Sequence, residues 1–260
     1  MNAVFICPVC KKPLNKDNGS LTCGKHVFDI ARKGYVNLLT SNQKKTKSPG
    51  DNKVMIAARK TALESGYYSS LYAALKEIVK PLYPKTLLDL GCGEGSLTDV
   101  LADFAETTIG LDVSKDAIAA ASGKKGVYAV ASAASIPLPD ESVDVLINCF
   151  APLYQDAERV LKKEGLLIKV TPAKEHLYEL KEAVYPEPYY NPPDKEIPRF
   201  KAVNSKIVTS TVVLSGELLK SVITMTPYFY KTPKELIENV LDKEIPTTLA
   251  FSIRVMKKEE

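Results

Sequence analysis

Apolar residues in the middle of the chain form short blocks that alternate between two periodicities. Continuous apolar runs predict buried strands at 87–90, 108–112, 127–130, 143–150 and 166–170. Between them, apolar positions at helical spacing predict helices at 97–104, 115–121 and 156–161. Helices that alternate with buried strands are typical of a parallel sheet covered on both faces. The predicted fold class is therefore α/β, with a doubly wound parallel sheet.

The flanking segments show other patterns. Helical spacing predicts a helix at 55–63 and a second one from residue 71 to the position before Pro81. Strand-like alternation at 207–214 and 249–256 predicts two further strands, which could complete the sheet in antiparallel orientation.

A glycine-rich turn follows the first predicted strand of the sheet. Gly91, Gly93 and Gly95 occupy alternate positions directly after a strand that carries Asp89. The next strand ends on a second acid, Asp112. A strand, a glycine turn, a helix and a strand with an acid at its end form half of a nucleotide-type site, in which the acid accepts hydrogen bonds from ribose hydroxyls.

The glycine spacing argues against a dinucleotide. The phosphate-binding pattern needs a glycine at position 96, where this chain has Ser96, and Asp89 would repel a pyrophosphate. A carboxylate there attracts the ammonium group of a cofactor with an amino-acid end, such as S-adenosylmethionine. The pattern D-x-G-C-G-E-G resembles motif I of class I (Rossmann-like) S-adenosylmethionine methyltransferases. The alternative is a glycine turn in some other α/β domain.

Four residues near the start have the spacing of metal ligands. Cys7 and Cys10 form one C-x-x-C pair, and Cys23 and His26 form a second pair twelve residues later. Three thiolates and an imidazole can bind zinc tetrahedrally, and such a closed site is structural rather than catalytic. A redox C-x-x-C motif is the alternative, but it leaves the second pair unexplained. The absence of a signal-peptide core fits a reducing compartment.

Positive charge is concentrated at the front of the chain. The net charge is +4, yet residues 1–60 hold ten Lys and two Arg against three Asp, so this part carries 12 − 3 = +9 and the rest 4 − 9 = −5. This favours a polyanion such as nucleic acid as partner, and a solvated face is the alternative. Aromatic and basic residues at 28–38 either stack on bases or pack the module onto its neighbour. The charge pattern divides the chain into a zinc-binding module at 1–40, a basic linker at 41–54 and a cofactor-binding domain at 55–260.

Three further segments resemble parts of a reaction centre without the expected context. Asn191-Pro192-Pro193-Asp194 is similar to an amino-group methyltransferase motif, but it follows the fifth strand instead of the fourth, and we interpret it as a rigid loop. Cys149 lies at the expected position, but it is interpreted as a small buried hydrophobe rather than a nucleophile. The tyrosines of segment 185–190 form either a stacking surface or a self-packed loop.

Several motifs in order indicate one family. They are C-P-V-C at 7–10, C-G-K-H at 23–26, G-Y-V-N-L-L at 34–39, P-G-D at 49–51, L-D-L-G-C-G-E-G at 88–95, G-L-D-V-S-K at 110–115 and H-L-Y-E-L-K at 176–181. Together they resemble the RlmA family of 23S ribosomal RNA guanine-N1 methyltransferases, which includes the tylosin-resistance type.

The resemblance implies site residues and partners. It implies an rRNA-recognition module built on the four zinc ligands, a homodimer, and cofactor contacts from the glycine loop, Leu97, Thr98, Tyr68 and His176. Cys23 and His26 are separated by two residues rather than the family's three, which alters the second zinc-binding turn.

The expected activity is methylation of guanine N1 in a hairpin loop of 23S rRNA, with S-adenosylmethionine as methyl donor. The target base must be unpaired, because N1 lies on its pairing edge. No residue is identified as the catalytic base. A small-molecule methyltransferase and a non-catalytic zinc-dependent RNA-binding protein are the alternatives. No apolar run reaches the length of a membrane helix, so we expect a cytoplasmic protein with no membrane partner.

Overall fold

A computed structural model describes residues 4–43, 50–226 and 232–259. The strands run β1 Asn15–Asp17, β2 Ser20–Thr22, β3 Val27–Asp29, β4 Val36–Asn37, β5 Thr86–Leu90, β6 Thr107–Asp112, β7 Val127–Val130, β8 Val143–Cys149, β9 Leu161–Pro172, β10 Phe200–Leu214 and β11 Ile245–Lys258. The helices run α1 Lys53–Glu64, α2 Ser69–Val79, α3 Ser96–Leu101, α4 Lys115–Ala121, α5 Asp156–Val160, α6 Tyr178–Val184, α7 Gly216–Met225 and α8 Lys234–Glu238. Short 3₁₀ turns cover Ser41–Gln43 and Ala102–Phe104.

In the described segments, eight strands form one sheet in the order β10-β11-β9-β8-β5-β6-β7-β4. Strands β4 to β9 pair in parallel, and β11 pairs antiparallel with both β9 and β10. The predicted parallel sheet and the two antiparallel strands are thereby confirmed. The chain runs from β5 outward to β7 and then returns to β8 on the other side of β5. This reversal opens a crevice at the carboxyl ends of β5 and β8, where ligands of such sheets bind.

The two faces of the sheet bury different partners. One face packs against α2, α3, α6 and α7 around residues such as Leu75, Leu101 and Val222. The other face packs against α5 and the front of the chain, where Phe5 and Leu14 join the core of Ile109. The front module is a three-stranded antiparallel sheet of β1, β2 and β3 that is fastened to the main sheet by this apolar contact.

The segment behind the zinc motif belongs to the core. Tyr35, Val36 and Leu38 are buried, and Val36 pairs with Ala129 at the edge of the main sheet. For these residues the packing alternative is therefore correct. Strand β4 was not predicted, because two residues leave no periodicity to detect. Of the predicted basic linker, residues 44–49 lie outside the described residues.

Several element boundaries differ from the predictions. The strand predicted at 143–150 ends at Cys149, because Phe150 adopts a left-handed conformation with φ of 56°. The helix predicted at 97–104 is α-helical only to Leu101. Strand β9 begins directly after α5, and β10 and β11 extend well beyond their predicted cores. The prediction omitted α6, α7 and α8, whose apolar faces lie in the less regular second half of the chain.

None of the helices in the described segments has the length and apolar character needed to span a membrane.

Candidate functional site

The four predicted zinc ligands meet at the front module. The ligand atoms of Cys7, Cys10, Cys23 and His26 all lie within 4.8 Å of one another. The Cys10 and Cys23 sulfurs are 3.6 Å apart, and His26 Nδ1 lies 3.5 Å from the sulfurs of Cys7 and Cys23. A tetrahedral zinc with Zn–S bonds of about 2.3 Å requires sulfur separations of about 3.7 Å. These residues therefore fit a closed zinc site.

Backbone geometry around this cluster favours a thiolate. The pKa of Cys23 is lowered to about 6, chiefly by the Lys25 backbone N–H, with further help from the His26 backbone N–H. Burial raises the pKa of Cys7. The six basic side chains of residues 4–40 are all exposed: Lys11, Lys12, Lys16, Lys25, Arg32 and Lys33. The front module thus joins a metal-binding cluster to an exposed basic surface.

The glycine turn after β5 brings two loops together. Gly91 has φ of 86°, and a Cβ at this position would lie 2.5 Å from the Cβ of Ala151. Only glycine therefore lets the turn pass this close to the segment after β8. Gly95, with φ of 82°, precedes α3 at its N-terminus.

The crevice at the carboxyl ends of β5, β6 and β8 is a cleft of about 420 Å³, the strand-end cleft. Six predicted site residues line it: Tyr68, Asp89, Gly91, Gly93, Leu97 and Asp112. Gly95, Thr98 and His176 are not in its lining, so their direct contact with a cofactor stays a prediction.

Asp89 is a buried acid at the floor of the strand-end cleft. Its Oδ2 accepts a hydrogen bond of 2.6 Å from the Thr98 hydroxyl, so Thr98 acts here by holding the carboxylate. Burial raises the pKa of Asp89 to about 7; the Thr98 hydrogen bond opposes this, and Asp112 and Glu94 add to it. Within the described residues no basic side chain forms an ion pair with Asp89. A buried carboxylate without a cation is suited to a ligand that brings one.

Asp112 is held by the backbone at the end of β6. Oδ2 accepts from the Gly93 N–H at 3.0 Å and Oδ1 from the Ser114 N–H at 2.8 Å. Burial raises its pKa, and these two N–H groups oppose that shift. Each carboxylate oxygen retains a free lone pair, and two oxygens in a fixed orientation suit a vicinal diol.

Sequence reasoning missed one charged wall of the strand-end cleft. Arg59 on α1 pairs with Asp51 through Nη2 at 2.8 Å, and both residues line the cleft. The Ser114 hydroxyl donates to the Asp51 carbonyl oxygen at 2.8 Å, which fixes this segment beside Asp112. The P-G-D motif at 49–51 was the available signal, but it was used only for the resemblance.

Aromatic rings close the opposite wall. The Tyr68 ring lies 5.7 Å from that of Phe150 and 5.5 Å from that of Phe251, measured between centroids. His176 packs behind them, 4.9 Å from Phe251, and its Nδ1 accepts from the Ala250 N–H at 3.2 Å. Burial lowers the pKa of His176 to about 4, so the imidazole is neutral at pH 7.

A second cavity, the side cavity, adjoins the strand-end cleft. It measures about 850 Å³ and is lined by 151–155, 191–200, Glu158, Lys169, Thr171, Pro172 and Arg254. Ala151, Pro152 and Tyr154 line both spaces. Its proline-rich wall is the segment that the sequence analysis interpreted as a rigid loop.

Contacts around Asn191 and Cys149 agree with a rigid loop and a non-nucleophilic thiol. Asn191 Nδ2 donates to the carbonyl oxygens of Ala173 and His176 at 2.9 Å each, and its Oδ1 accepts from Lys181. The side chain of Asn191 is thus occupied in holding its own loop. Burial raises the pKa of Cys149 well above that of an ordinary thiol, so it is not a ready nucleophile.

The tyrosine segment packs partly against itself and partly against α6. The rings of Tyr178 and Tyr190 stack with centroids 4.3 Å apart, and Lys181 Nζ lies 4.6 Å above the ring of Tyr189.

Comparison with known proteins separates two parts of the chain. Residues 5–47 match the N-terminal zinc ribbon of RlmA, and residues 88–169 match a methyltransferase domain. YxjB of Bacillus subtilis, a candidate 23S rRNA (guanine-N(1)-)-methyltransferase, is 33% identical over 90% of this chain and 90% of its own. The 23S rRNA (guanine(748)-N(1))-methyltransferase of Streptomyces fradiae is 32% identical over 95% of both chains.

The chain belongs to the RlmA family of 23S rRNA guanine-N1 methyltransferases. A solved structure of a candidate methyltransferase from Bacillus halodurans C-125 covers 73% of this RlmA-family chain and 99% of its own, with a TM-score of 0.52 at 16% identity. That likeness concerns the fold, and it agrees with the class I methyltransferase sheet predicted from the sequence. The RlmA-family chain is thus a zinc ribbon joined to an S-adenosylmethionine-dependent methyltransferase domain.

Proposed function

We propose that this chain transfers a methyl group from S-adenosylmethionine to N1 of a guanine in a hairpin loop of 23S rRNA. The observation that carries the proposal is that a basic zinc ribbon is attached to a methyltransferase sheet. In that sheet, the buried acid Asp89 has no cation as partner among the described residues. A small-molecule methyltransferase would not need the exposed lysines and arginine of residues 4–40. Members of the family named after this activity match almost the whole chain.

We propose that the cofactor occupies the strand-end cleft. Asp89 accepts from its ammonium group, Asp112 accepts from the ribose hydroxyls, and Gly91 and Gly93 allow the backbone to approach it. Leu97 and Tyr68 supply apolar contacts at the walls. Gly95, Thr98 and His176 act from behind by shaping the turn, holding Asp89 and supporting the aromatic wall. S-adenosylmethionine supplies a methyl group on a positively charged sulfur, which makes that carbon electrophilic.

The chain's own residues bind and orient the reactants. During transfer, guanine N1 forms a bond to the methyl carbon while the carbon–sulfur bond breaks, and the N1 proton leaves to water. Correct alignment accounts for much of the acceleration of such a reaction. The turn after β8 borders the strand-end cleft and is where an acceptor base meets the cofactor.

We propose that Cys7, Cys10, Cys23 and His26 hold a structural zinc and that residues 1–40 recognise rRNA. Residues 41–54 act as the linker, and residues 55–260 form the methyltransferase domain. The apolar contacts of Phe5 and Leu14 with the main sheet support a fixed position for the ribbon beside the catalytic domain. The partner is ribosomal RNA, so we place the reaction in the cytoplasm.

We also propose a homodimer. The long edge strand β10 exposes Ile207 and Val213 on one face and Val203 at a β-bulge, apolar side chains that a second copy can cover. Light scattering of the purified chain should give twice the monomer mass of 28.5 kDa. A monomer mass at micromolar concentration would reject this part of the proposal without affecting the activity.

Primer extension tests the activity in cells. A methyl group on N1 blocks Watson–Crick pairing, so reverse transcriptase stops beside the modified guanine. In a strain that lacks the gene, the stop in 23S rRNA should disappear and return on complementation. A stop that is unchanged by deletion would refute the proposal.

A further inference from the structure

Lys169 is a buried amine that the reaction described so far does not use. The residue is 9% exposed and projects from β9 into the lining of the side cavity. Its Nζ donates to Asn148 Oδ1 and, at 2.8 Å, to the Ala151 carbonyl oxygen. Among the described residues, no carboxylate forms an ion pair with it. Both acceptors are neutral, so a third donor position and the positive charge remain uncompensated, which is costly in a buried site.

The position of Lys169 links it to the methyl-transfer site. One partner, Asn148, lies on β8 and the other, Ala151, lies in the turn after it. Asn148 Nδ2 donates to the Leu90 carbonyl oxygen at 2.8 Å. Lys169 is thereby connected to the end of β5, where the strand-end cleft begins. Ala151 lines both spaces, so the ammonium lies beside the boundary between them.

The walls of the side cavity suit a flat base rather than a phosphate. Pro152, Tyr154, Pro193, Pro198 and Phe200 contribute rigid or aromatic surfaces. Flipped bases are held between such surfaces and are recognised through hydrogen bonds to their edges. A phosphate site would instead present convergent cations without acids, whereas the lining of this cavity also contains three carboxylates, Glu158, Asp194 and Glu196.

Several charged groups share the lining of the side cavity with Lys169, and four of them form ion pairs, Arg199 with Glu158 and Arg254 with Asp194. Arg254 on β11 donates to the Lys195 carbonyl oxygen at 2.9 Å, and its Nε lies 3.4 Å from Asp194 Oδ2. Asp194 also accepts hydrogen bonds from the hydroxyls of Ser252 and Thr171. Asp194 thereby anchors Arg254 at the wall of the side cavity. Burial lowers the pKa of Lys169 and raises the pKa of the nearby Cys149 thiol. Lys195 and Glu196 are the remaining charged residues of the cavity lining.

From this geometry we propose that the side cavity receives the acceptor guanine and that Lys169 donates to its O6. The proposal rests on the proposed function. When N1 loses its proton to water, negative charge spreads onto O6, and the ammonium stabilises that charge while the N1 electron pair attacks the methyl carbon. Lys169 is then a catalytic residue that lowers the pKa of the bound guanine N1. It acts on the acceptor and makes no contact that the cofactor needs.

The test compares Lys169→Met and Lys169→Gln with the wild type on an rRNA hairpin. Met removes the charge and all donors, whereas Gln removes the charge but keeps a neutral N–H donor on a shorter side chain. We expect kcat at about pH 7 to fall about 100-fold in both variants, as for loss of one oxyanion donor. The deficit should shrink as the pH rises, since hydroxide then removes the N1 proton without help. The affinity for S-adenosylmethionine, measured by calorimetry, should change less than about two-fold.

Lys162→Met is the matched control. Lys162 lies on the same strand and pairs with Asp144 at 2.6 Å, away from both cavities. This variant should keep wild-type kcat and its pH profile. An equal deficit at every pH for Lys169→Met, or a raised KM for RNA with unchanged kcat, would overturn the proposal; the second result would indicate a phosphate contact. Absence of methyl transfer by the wild type would instead refute the proposed function.

A measurement on the wild type does not depend on the folding of any variant. A hairpin with 6-thioguanosine at the target position can be bound with S-adenosylhomocysteine and titrated by ultraviolet absorption, which distinguishes the neutral from the ionised base. We expect N1 to ionise at a pH at least about 1 lower than in the free hairpin. Ionisation at the same or a higher pH would overturn the role of Lys169.

Discussion

The strand-end cleft and the side cavity share one wall but carry opposite charge. The first is lined by four acids and one cation, Asp51, Asp89, Glu94 and Asp112 with Arg59. The second is lined by four cations and three acids, and its buried charge is that of Lys169. The turn after β8 separates them by only a few residues. A methyl donor is electron-poor and its deprotonated acceptor is electron-rich, so the charge of each space suits the ligand that we propose for it. The difference teaches that, under the proposed function, electrostatics on the two sides of a single loop would sort the two substrates.

Removing the charge of Asp89 should have the largest effect, which is on cofactor binding in the strand-end cleft. Asp89→Asn should weaken the affinity for S-adenosylmethionine by about 100-fold or more, because the ammonium loses its buried partner. Calorimetry measures the affinity. Asp103→Asn, which alters an exposed acid paired with Lys125, is the control and should bind normally.

The same variant has a second, opposite effect on the ligand-free protein. A carboxyl pKa raised by folding stabilises the protein at low pH, and that stability is lost as the pH rises through about 7. Asp89→Asn should therefore melt a few degrees above the wild type at about pH 8 and show little difference at about pH 4. A lower melting temperature at about pH 8 would contradict the assignment of Asp89 as an uncompensated buried charge.

Gly91→Ala should distort the strand-end cleft and the side cavity together. The new Cβ would meet that of Ala151 at 2.5 Å in a backbone with positive φ, so the shared wall must move. We expect a loss of about 1–3 kcal/mol in the free energy of unfolding and a drop of about 10- to 100-fold in kcat/KM. Gly123→Ala has open space around it and should leave both values unchanged.

A change of pH should alter cofactor binding through Asp89. Between about pH 7 and about pH 6 the affinity of the wild type for S-adenosylmethionine should fall about 5-fold, as Asp89 takes up a proton. The cofactor's ammonium is protonated at both values. Calorimetry on Asp89→Asn should show this dependence lost, and its persistence there would assign the effect to another group.

The smallest effect is expected for single charges on the zinc ribbon, which lies outside the strand-end cleft and the side cavity. Lys16→Ala removes one exposed charge from the zinc ribbon and should weaken rRNA binding by about 2- to 3-fold, with no change in cofactor affinity. Lys60→Ala, on α1 and paired with Glu64, is the control. Filter binding at low salt measures both variants. An equal loss in the two variants would argue against the ribbon as the RNA-binding surface.

Sequence motifs predicted the residues of the strand-end cleft but not those of the side cavity. Asp89, Gly91 and Asp112 follow apolar runs, and their positions depend on adjacent residues, so pattern reasoning reaches them. The side cavity forms when the aperiodic segment 191–200 meets β9 and β11, which are far apart in sequence. The available signal was Lys169 itself, a lysine within an otherwise apolar strand.

The front of the chain shows the same limit. The spacing of Cys7, Cys10, Cys23 and His26 was sufficient to predict their convergence. It could not reveal that Val36 would add a strand to the main sheet, because two residues carry no period. Deleting residues 1–50 would therefore remove part of the catalytic domain's core, so single substitutions are the better test of RNA recognition.

The most direct test of the account identifies the methylated atom. The purified chain is incubated with methyl-labelled S-adenosylmethionine and a 23S rRNA transcript, and the RNA is digested to nucleosides for chromatography and mass spectrometry. The account predicts that the label co-elutes with 1-methylguanosine and is absent when Asp89→Asn replaces the wild type. Label on adenosine, cytidine or another atom of guanosine, or no label on RNA, would contradict it.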